Sequence, residues 1–364
     1  LGLCGGGAGA ARFFAGLGAA VTGTDAAPAE KLAPSVRALD GLGIRFVLGH
    51  HEETDFTRAD LVVANQAVRP DNPFLAAARR AGVSIATETG LALALNPSPW
   101  VGVTGSRGKS TTASLLAAML RRHDPGLLFG GNIGGDLLTR VEGRPPSAPL
   151  VAELSSFQLT YLGDDFAAGR IRPPQAAVVT NIAPNHLDWH ADMDEYAAAK
   201  FSLLKHQRPD QWTILNGEDP LLAAWAKGVP GRVIHCGLND CGRADACFVA
   251  DGTVVVRLVG AKEARFPLDG FRLLGRHNLY NAVEAVAAAF AICGDAAAIA
   301  DGLAAFPGLP HRLETVGSVG DRTFVNDSKS TTPEAAVTAL EAVTAPCVLI
   351  AGGHDKHAPF DRLG

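Results

Sequence analysis

Short apolar runs alternate with alanine-rich helical stretches along the first part of the chain. The apolar runs have the length of strands, and the segments between them have helical periodicity. Four runs are interpreted as parallel strands: residues 18–23, 43–47, 60–64 and 83–86. Strands that alternate with helices in this way predict an α/β domain with a parallel sheet.

A break at residues 96–99 separates this domain from a second α/β unit. Two prolines in that segment disfavour helix and strand alike, and an apolar strand at residues 100–104 follows directly. The same pattern then predicts strands at 149–154, 176–181, 212–216 and 232–235 and a long helix at 280–292. We therefore place three domains in the chain: residues 1–95, 96–306 and 307–364.

The third domain opens on another proline-containing break and is short. Its pattern predicts a strand at 323–326, a helix at 333–343 and a strand at 347–350. About two strand–helix units are too few for an independent core, so we expect this domain to be cut short. We also expect the first domain to lack its first strand, because a glycine-rich turn comes at once. The chain by itself is then expected to be inactive or nearly so.

Composition and charge narrow the classes of function. The 364 residues carry a formal net charge of −5, so no overall basic field attracts nucleic acid. The alanine-rich run at residues 285–293 is much shorter than the roughly 18 apolar residues of a membrane span. Six cysteines without a Cys-x-x-Cys pair are typical of free thiols in a reducing compartment. We expect a cytoplasmic protein, and a monomer, that acts on small molecules and not on nucleic acids or membranes.

The first glycine-rich turn fits the pattern Gly-x-Gly-x-x-Ala and opens a helix. Gly5, Gly6 and Gly7 would let backbone amides approach a diphosphate, and Asp25 at the end of the next strand can accept a ribose hydroxyl. A tight strand-to-helix turn without any ligand is an equally good interpretation. The turn is therefore a candidate nucleotide site.

The second glycine-rich turn, Gly102-Val-Thr-Gly-Ser-Arg-Gly-Lys-Ser-Thr111, indicates a phosphate-binding loop. It follows a strand and precedes a helical stretch at residues 112–121. Backbone amides of residues 105–110 can surround phosphates, while Lys109 neutralises them and the Ser110 hydroxyl holds Mg²⁺. Strict spacing would require glycine where the chain has Val103, so the loop is a variant. We predict that a nucleoside triphosphate binds here.

Polar side chains at the ends of two predicted strands are candidate metal ligands. Glu153 ends an apolar strand, where a carboxylate near a phosphate loop can bind Mg²⁺, and a solvated carboxylate is the alternative. His186 and His190 have the spacing that places two residues on one face of a helix. A zinc pair would lack a third ligand. We expect His186 to contact Mg²⁺ or substrate and His190 to be structural.

The remaining candidates lie in one helix and in turns. Lys200 interrupts a mostly apolar helix, and a lone lysine on a helix is usually a solvated surface residue. Asn278 stands at the start of the alanine-rich helix, where it caps the helix by default or reads an adenine edge. Turns at 310–312, 326–331 and 352–356 place Arg, Asp and Lys after strands, where α/β sheets bind ligands.

Taken in order, these motifs make the chain resemble the Mur ligases of peptidoglycan synthesis. The resemblance spans essentially all 364 residues and rests on residues 104–110, 131–134, 153–159, 181–186, 275–278, 308–312 and 326–329. The stretches Glu-Leu-Ser-Ser-Phe-Gln-Leu and Asn-Asp-Ser-Lys look like the glutamate-adding branch of the family. The family fold implies a Rossmann-like UDP-binding domain, a central P-loop-type ATPase domain and a Rossmann-like C-terminal domain, truncated here.

The resemblance also implies an activity. A Mur ligase of this branch adds D-glutamate to UDP-N-acetylmuramoyl-L-alanine, using ATP and two Mg²⁺ ions. ATP converts the alanyl carboxylate to an acyl phosphate, which the amine of glutamate attacks. In this family the lysine that matches Lys200 is carbamylated, which turns an amine into an oxygen ligand of the type that Mg²⁺ prefers.

Site residues carry over from the family motif by motif. The expected ATP site comprises Gly105, Ser106, Arg107, Gly108, Lys109, Ser110, Thr111, Asn278, Arg312 and Asp327. The expected Mg²⁺ ligands are Ser110, Glu153, His186 and Lys200. The UDP-sugar would contact Gly5, Gly6, Gly7, Asp25, Asn132, Ser155 and Gln158, and the glutamate or acyl phosphate would contact Lys329, Thr331 and Lys356. Of these, Lys109, Glu153, His186 and Lys200 are the expected catalytic residues.

Departures from the family and three rival functions complete the analysis. Cys4 stands where a glycine is usual, Ala26 and Ala27 replace a polar pair, and Asn65-Gln66 replaces a Ser-Pro type turn. A folylpolyglutamate-synthase-like ligase is a rival in the same superfamily, disfavoured by the Glu-Leu-Ser-Ser-Phe-Gln stretch. An NAD-dependent oxidoreductase would explain the first glycine-rich turn but not the phosphate loop or Lys329. A non-catalytic nucleotide-binding regulator would keep the loop without transferring phosphoryl groups.

Overall fold

The computed structural model describes residues 1–330 and 333–353 and begins with an α/β unit built on short parallel strands. Its strands are β1 (Thr22–Asp25), β2 (Arg45–Leu48), β3 (Leu61–Val63) and β4 (Ser84–Ala86). Its helices are α1 (Gly6–Gly16), α2 (Ala29–Arg37), α3 (Thr54–Thr57), α4 (Pro73–Arg80) and α5 (Glu88–Leu95). β1 pairs with β2 and β3 pairs with β4, all in parallel, which confirms the predicted α/β class of this segment.

The first three residues bridge the two strand pairs. The amino group of Leu1 donates to the carbonyl oxygen of Val63, and the carbonyl oxygen of Leu1 accepts from the amide of Asn65. On the other side, the amide of Gly2 donates to the carbonyl oxygen of Thr24. These bonds place residues 1–3 between β1 and β3, directly before the glycine-rich turn that opens α1.

The central unit is a nine-stranded sheet with helices packed on it. Its strands are β5 (Trp100–Thr104), β6 (Leu128–Gly131), β7 (Leu150–Glu153), β8 (Ala176–Val179), β9 (Trp212–Asn216), β10 (Arg232–Cys236), β11 (Ala246–Ala250), β12 (Thr253–Arg257) and β13 (Ala264–Pro267). Its helices are α6 (Lys109–His123), α7 (Leu138–Val141), α8 (Ser156–Ala167), α9 (Met193–Lys205), α10 (Pro220–Trp225), α11 (Arg276–Cys293) and α12 (Ala296–Ala305). The strand order is β13-β12-β11-β10-β9-β8-β5-β7-β6.

The burial of the strands explains why their sequences are continuous apolar runs. β5, β7 and β8 are buried at every residue, as expected of parallel strands that are covered by helices on both faces. One hydrophobic core lies under α6 and α11, and a second lies under α5, α8 and α9. The carboxyl ends of β5, β7 and β8 share one edge of the sheet, which is where ligands bind in such folds.

The final described segment forms a hairpin and a helix. β14 (Glu314–Val319) and β15 (Arg322–Asn326) pair antiparallel, and α13 (Pro333–Glu341) follows. The predicted strand at 347–350 is wrong, because residues 346–350 form neither helix nor strand. Val348 and Ile350 are 92% and 95% exposed, and no described strand lies beside them to supply the hydrogen bonds that a strand requires.

Several predicted elements differ from the observed ones. Strands 100–104 and 212–216 match β5 and β9, whereas the strand predicted at 18–23 is observed as β1 at Thr22–Asp25. The antiparallel strands β11, β12 and β13 and the short β6 were not predicted. His186 and His190 do not share a helical face, because residues 181–192 contain turns and bends instead of helix. In the described part of the chain, no helix has the length and apolar character needed to cross a membrane.

Candidate active site

A glycine-rich loop joins β5 to α6 at the carboxyl edge of the central sheet. Gly108 is the N-cap of α6 and has φ +82°, a conformation that L side chains rarely adopt. A Cβ on Gly108 would lie 2.3 Å from Oδ1 of Asn281, so this position requires glycine for two independent reasons. The first amides of α6 have no partner within the helix and face the cleft described below, which gives the loop the form of an anion site.

The loop is fixed by the segment that follows β8. The amide of Ser106 donates to the carbonyl oxygen of Asn181, and the amide of Arg107 donates to Oδ1 of the same residue at 3.0 Å. The hydroxyl of Thr180 donates to the carbonyl oxygen of Arg107 at 2.6 Å. The hydroxyls of Ser106 and Tyr196 are 2.8 Å apart. The loop is therefore held in shape by protein groups alone.

A cleft of about 790 Å³ opens over the loop. One wall is the loop, from Ser106 to Thr111, and another is residues 183–186. The start of α11 and the segment that contains Arg312, Asp327 and Lys329 close the opposite side. Residues from five separate sequence motifs thus meet at one cavity, as the sequence analysis expected for the nucleotide site, although their individual roles remain predictions.

Two lysines lie at the base of the loop. Lys109 Nζ donates to the carbonyl oxygens of Gly105 at 2.9 Å and Ser106 at 3.0 Å. Lys200, on α9, is 1% exposed, and its Nζ donates to the carbonyl oxygen of Gly105 at 2.8 Å. The usual solvated position of a lone helical lysine therefore does not apply to Lys200. Its side chain also lies over the ring of Tyr196, at 4.7 Å.

Burial lowers the pKa of both amines. Desolvation, followed by the positive charge of Lys109, lowers the pKa of Lys200 to about 6, although the Glu153 carboxylate opposes the shift. Desolvation also lowers the pKa of Lys109, against the raising effect of Glu153, and the charge of Arg312 adds to the lowering. Lys200 is therefore mostly a neutral amine at pH 7, with a free electron pair.

Glu153 is a buried carboxylate at the end of β7. Its Oε1 accepts a hydrogen bond from Nδ2 of Asn132 at 2.9 Å, while its Oε2 is buried and has no hydrogen-bond partner. A buried carboxylate oxygen without a partner is costly unless it binds a cation, so this atom fits a Mg²⁺ ligand. No group of three His, Cys, Asp or Glu side chains suited to a metal occurs in the described ranges. A full ligand set here would need the Ser110 hydroxyl, nucleotide oxygens or a modified Lys200.

His186 projects from a turn and not from a helix. Its backbone has φ +54°, and its ring is 4.8 Å from the ring of Phe157, edge to face. Desolvation, followed by the positive charge of Lys109, lowers the pKa of His186, which leaves its imidazole neutral at pH 7. His190 is buried among Phe157, Trp189 and Tyr196, which agrees with the structural role expected for it.

The three residues expected on the nucleotide side line the cleft. Asn278 does not cap α11, because the N-cap is Gly275, and its amide group instead donates to the carbonyl oxygen of Leu274 at 2.7 Å. The Asp327 carboxylate accepts from the amide of Leu313 and from the hydroxyl of Ser330. Arg312 is exposed at the cleft wall. These bonds fix Asn278 and Asp327 in place, while the Arg312 guanidinium faces solvent.

Four of the residues expected to contact the UDP-sugar form or support the first glycine-rich turn. Gly5 is the N-cap of α1, and Gly6 and Gly7 form its first turn, as the first motif predicts. A Cβ on Gly7 would lie 1.8 Å from the carbonyl oxygen of Gly2, so the backbone approaches closely here. Both oxygens of Asp25 accept from backbone amides, those of Leu3 and Ala27. Asp25, which was expected to accept a ribose hydroxyl, thus uses both carboxylate oxygens to bind backbone amides.

Two further UDP-sugar candidates are engaged inside the protein. Ser155 is the N-cap of α8, and Gln158 completes a capping box with it. Nε2 of the buried Gln158 also donates to the hydroxyl of Thr89 at 2.8 Å. These bonds orient the start of α8 and join it to the N-terminal unit. Asn132 is exposed, and its amide donates to Oε1 of Glu153.

Three lysine and threonine candidates were expected to contact glutamate or the acyl phosphate. Lys329 lines the cleft opposite the phosphate loop, and its amide donates to the carbonyl oxygen of His311. Thr331 and Lys356 lie outside the described residues.

Some residues that shape the site were missed by sequence reasoning. Thr180 and Asn181 fix the phosphate loop, and Asn281 accepts a hydrogen bond from Thr112 of α6. All three lie 70 or more residues along the chain from the groups that they contact. Tyr196 was passed over although it stands one helical turn before Lys200 on α9. That i, i+4 spacing is the signal that would have indicated a shared contact.

Comparison with known proteins identifies the family. The Mur ligase middle domain family matches residues 103–289, and a second family, described as the Mur ligase family, catalytic domain, matches residues 2–95. The chain belongs to the Mur ligase family. The resemblance drawn from the motifs and the predicted α/β Mur ligase fold are thereby confirmed.

Among other Mur ligases, several relatives match along most of their length. "UDP-N-acetylmuramoylalanine--D-glutamate ligase" of Roseiflexus sp. (strain RS-1) is 42% identical over 373 residues, which covers 100% of this chain and 78% of the relative. The protein of the same name from Symbiobacterium thermophilum is 40% identical and covers 97% and 76%. A crystal structure of a murein peptide ligase from Psychrobacter arcticus superimposes with a TM-score of 0.59 at 21% identity, covering 93% of this chain and 74% of that one. This last likeness concerns the fold.

Proposed function

We propose that this Mur ligase uses ATP to join D-glutamate to UDP-N-acetylmuramoyl-L-alanine. Relatives that carry the name of this activity are 36–42% identical over 96–100% of the chain. The observation that carries the proposal is one juxtaposition: the phosphate loop, the unpartnered oxygen of Glu153 and the buried amine of Lys200. Such a set suits the transfer of a phosphoryl group between two anions.

The reaction needs activation of a carboxylate, which is a poor electrophile at neutral pH. An oxygen of the alanyl carboxylate attacks the γ-phosphorus of ATP, a P–O bond forms, and ADP leaves. The amine of glutamate then attacks the acyl carbon, phosphate leaves with the C–O bonding pair, and an amide remains after loss of a proton. Lys109 and the amides at the start of α6 neutralise the phosphates, and Lys329 faces them across the cleft.

Mg²⁺ would supply charge neutralisation to the phosphates and the developing intermediate. The residues proposed to hold it are Ser110, Glu153, His186 and a carbamylated Lys200, for two ions in all. The neutral amine of Lys200 adds to carbon dioxide, an N–C bond forms, and one proton is released to leave a carbamate. The low pKa of Lys200, about 6, supports this modification because a protonated amine cannot add. The buried Oε2 of Glu153 supports the carboxylate side of the same site.

The sugar nucleotide is proposed to bind across the N-terminal and central units. Gly5, Gly6 and Gly7 would meet its diphosphate with Asp25 supporting the turn, and Asn132 would face the sugar. Ser155 and Gln158 would act through the position of the α8 N-terminus, since their side chains are bonded to each other and to Thr89. The adenine nucleotide would contact Asn278, Arg312 and Asp327. We further propose a monomeric protein in the cytoplasm, where nucleotide precursors are made.

The oxidoreductase alternative receives less support. The acid that would hold a ribose hydroxyl, Asp25, already accepts two backbone amides. The large cleft lies over the phosphate loop, not over the first glycine-rich turn. A dehydrogenase would leave the buried pair of Lys109 and Lys200 without a use.

A phosphate-release assay tests the proposed function. The protein is given ATP, Mg²⁺, UDP-N-acetylmuramoyl-L-alanine and either enantiomer of glutamate. We expect phosphate release and a new amide product with D-glutamate only. Hydroxylamine trapping of an acyl phosphate, without glutamate, separates a ligase from a nucleotide-binding regulator. Nucleotide binding without trapped acyl phosphate, or product with L-glutamate instead, would refute the proposal.

A further inference from the structure

A turn of the N-terminal unit, residues 65–69, lies between the first glycine-rich turn and the turn that carries His186. We name residues 65–69 the linking turn and residues 186–190 the His186 turn. The linking turn contains the Asn65-Gln66 pair that replaces a Ser-Pro type turn of the family. None of its residues has a role in the proposed chemistry, yet the linking turn contacts both the first glycine-rich turn and the His186 turn.

On one side, the linking turn contacts the first glycine-rich turn. Nδ2 of Asn65 donates to the carbonyl oxygen of Cys4 at 2.7 Å. A Cβ on Gly2 would lie 2.8 Å from Cβ of Asn65, so the two backbones approach as closely as glycine allows. Within the turn, Oδ1 of Asn65 accepts from the amide of Ala67, and its carbonyl oxygen accepts from the amide of Val68. Asn65 therefore connects the linking turn to the residues that precede α1.

On the other side, two side chains of the central unit bind the linking turn. Nε1 of Trp189, which is 8% exposed, donates to the carbonyl oxygen of Ala67 at 3.2 Å. The guanidinium of Arg69 lies 5.5 Å from the centre of the same indole. The hydroxyl of Tyr161, on α8, donates to the carbonyl oxygen of Val68 at 2.7 Å. Trp189, in the His186 turn, and Tyr161, on α8, thus donate hydrogen bonds to the carbonyl oxygens of two adjacent residues of the linking turn.

Trp189 is also part of the turn that positions His186. The amides of Trp189 and His190 both donate to the carbonyl oxygen of His186, at 3.1 Å and 2.9 Å. The ring of Phe157 packs between the side chains of His186 and Trp189, with ring centres 4.8 Å and 4.7 Å away. A shift of Trp189 therefore shifts His186, whose positive φ leaves its backbone few alternatives.

We infer that Trp189 is a positioning residue that couples the sugar-nucleotide site to the metal–nucleotide site. Its indole joins the linking turn to the His186 turn, so the contacts run without a gap from Cys4 through Asn65 and Ala67 to Trp189 and His186. Binding of UDP-N-acetylmuramoyl-L-alanine at the first glycine-rich turn orders the linking turn and holds His186 toward the cleft. The inference rests on the proposed function, which supplies the two ligands.

Coupling is a ratio of affinities, so binding measurements test it without catalysis. The probe is Mn²⁺ with the non-hydrolysable analogue AMP-PNP, titrated by electron paramagnetic resonance with and without UDP-N-acetylmuramoyl-L-alanine. In the unaltered protein we expect the sugar nucleotide to tighten Mn²⁺ binding. Trp189→Phe keeps an aromatic ring against Phe157 but removes the indole N–H donor. Loss of that neutral hydrogen bond is expected to reduce the tightening by about fivefold.

Tyr161→Phe is the matched control because it removes a hydrogen bond to the next carbonyl of the same turn, from α8 instead of the His186 turn. It is expected to keep the tightening. Unchanged coupling in Trp189→Phe, or equal loss in both variants, would overturn the inference and indicate general docking of the two units. Absence of Mn²⁺–AMP-PNP binding in the unaltered protein would overturn the proposed function itself, whereas binding without any tightening would overturn only the coupling.

A second variant guards against misfolding. Arg69→Met leaves Trp189 in place and removes the cation over its indole. It is expected to weaken the coupling in the same direction by about twofold, as a partly exposed cation–π contact would. Thermal unfolding of each variant is recorded in parallel. Loss of coupling in Trp189→Phe or Arg69→Met at an unchanged unfolding temperature, with coupling kept in Tyr161→Phe, supports the inference. Unchanged coupling in folded Trp189→Phe and Arg69→Met refutes it.

Discussion

Lys109 and Lys200 donate to the same acceptor, the carbonyl oxygen of Gly105, at 2.9 Å and 2.8 Å. Two ammonium groups that share one buried oxygen repel each other, which is part of the reason that the pKa of Lys200 falls to about 6. The loop therefore accommodates one positive charge and one neutral amine. Conversion of that amine to an anionic carbamate would turn the repulsion into attraction and release Gly105 from one of its two donors.

Replacement of Lys200 by alanine should abolish ligation. The variant loses the proposed carbamate oxygen ligand, and a short carboxylate such as acetate can occupy the space and restore part of the activity. Phosphate release with and without added acetate measures the effect. Lys205→Ala, an exposed lysine at the end of the same helix, should behave as the unaltered protein. Full activity of Lys200→Ala without acetate would contradict the carbamate role.

The same lysine makes stability depend on pH. Its folded pKa, about 6, lies below its ordinary value of 10.5, so the folded state releases a proton that the unfolded state retains between these limits. The resulting destabilisation is complete below pH 6 and disappears as pH rises toward 10.5. Lys200→Met should therefore raise the free energy of unfolding most at pH 6 and least at pH 10, in urea titrations with carbon dioxide excluded. A flat difference across this range, or the same profile in Lys205→Met, would contradict the buried amine.

Gly108→Ala should lower nucleotide affinity by more than tenfold. The new Cβ meets Oδ1 of Asn281 at 2.3 Å and also forces an L residue to φ +82°, at a cost of roughly 1–2 kcal/mol for the backbone alone. Calorimetric titration with AMP-PNP gives the affinity. Gly18→Ala is the control, because Gly18 has the same φ of +82° but nothing within 4 Å of its Cβ. Because Gly18 does not line the cleft, equal loss of affinity in both variants would show that general destabilisation, and not the geometry of the phosphate loop, is responsible.

Glu284 is a stability liability in the centre of α11. It is 1% exposed, neither carboxyl oxygen has a hydrogen-bond partner among the described residues, and burial raises its pKa well above the ordinary value. Glu284→Met should increase the free energy of unfolding by about 1–3 kcal/mol at pH 7. Because the folded state holds a proton that the unfolded state loses above about pH 4.5, the gain should grow as pH rises. The exposed Glu142→Met serves as a control, and a gain that shrinks with pH would refute the protonated carboxyl.

The sequence predicted β5, β7, β8, β9 and β10 because parallel strands that are buried on both faces have continuous apolar sequences. β5 and β9 were located to the residue for that reason. β11 and β13 both pair antiparallel with β12. These three strands escaped prediction because periodicity alone does not indicate their partners. The strand expected at 347–350 has the right composition, yet in the part of the chain that the structure describes no strand lies beside it. Apolar composition sets which residues can form a strand, while neighbours decide whether one forms.

The candidate site also combines residues that the sequence pointed to with contacts that only the three-dimensional structure shows. Motif residues such as Lys109 and Glu153 were found because their chemistry is local to a strand end. The burial of Lys200 could not be predicted from the sequence of its helix. The groups that its amine contacts are in residues 104 and 105, nearly a hundred positions earlier in the chain. Gln158 and Ser155 were assigned to substrate by their motif, and only the three-dimensional contacts reveal the capping box. Residues that act through others leave little trace in a single sequence.

The anchoring of the phosphate loop by Thr180 and Asn181 has a consequence for nucleotide affinity. Because these bonds join the loop to another segment of the same chain, the loop loses its conformational freedom when the chain folds. The entropic cost of ordering the loop is then part of the folding free energy of the central unit. A substitution that frees the loop should therefore weaken nucleotide binding even where it removes no contact to the nucleotide.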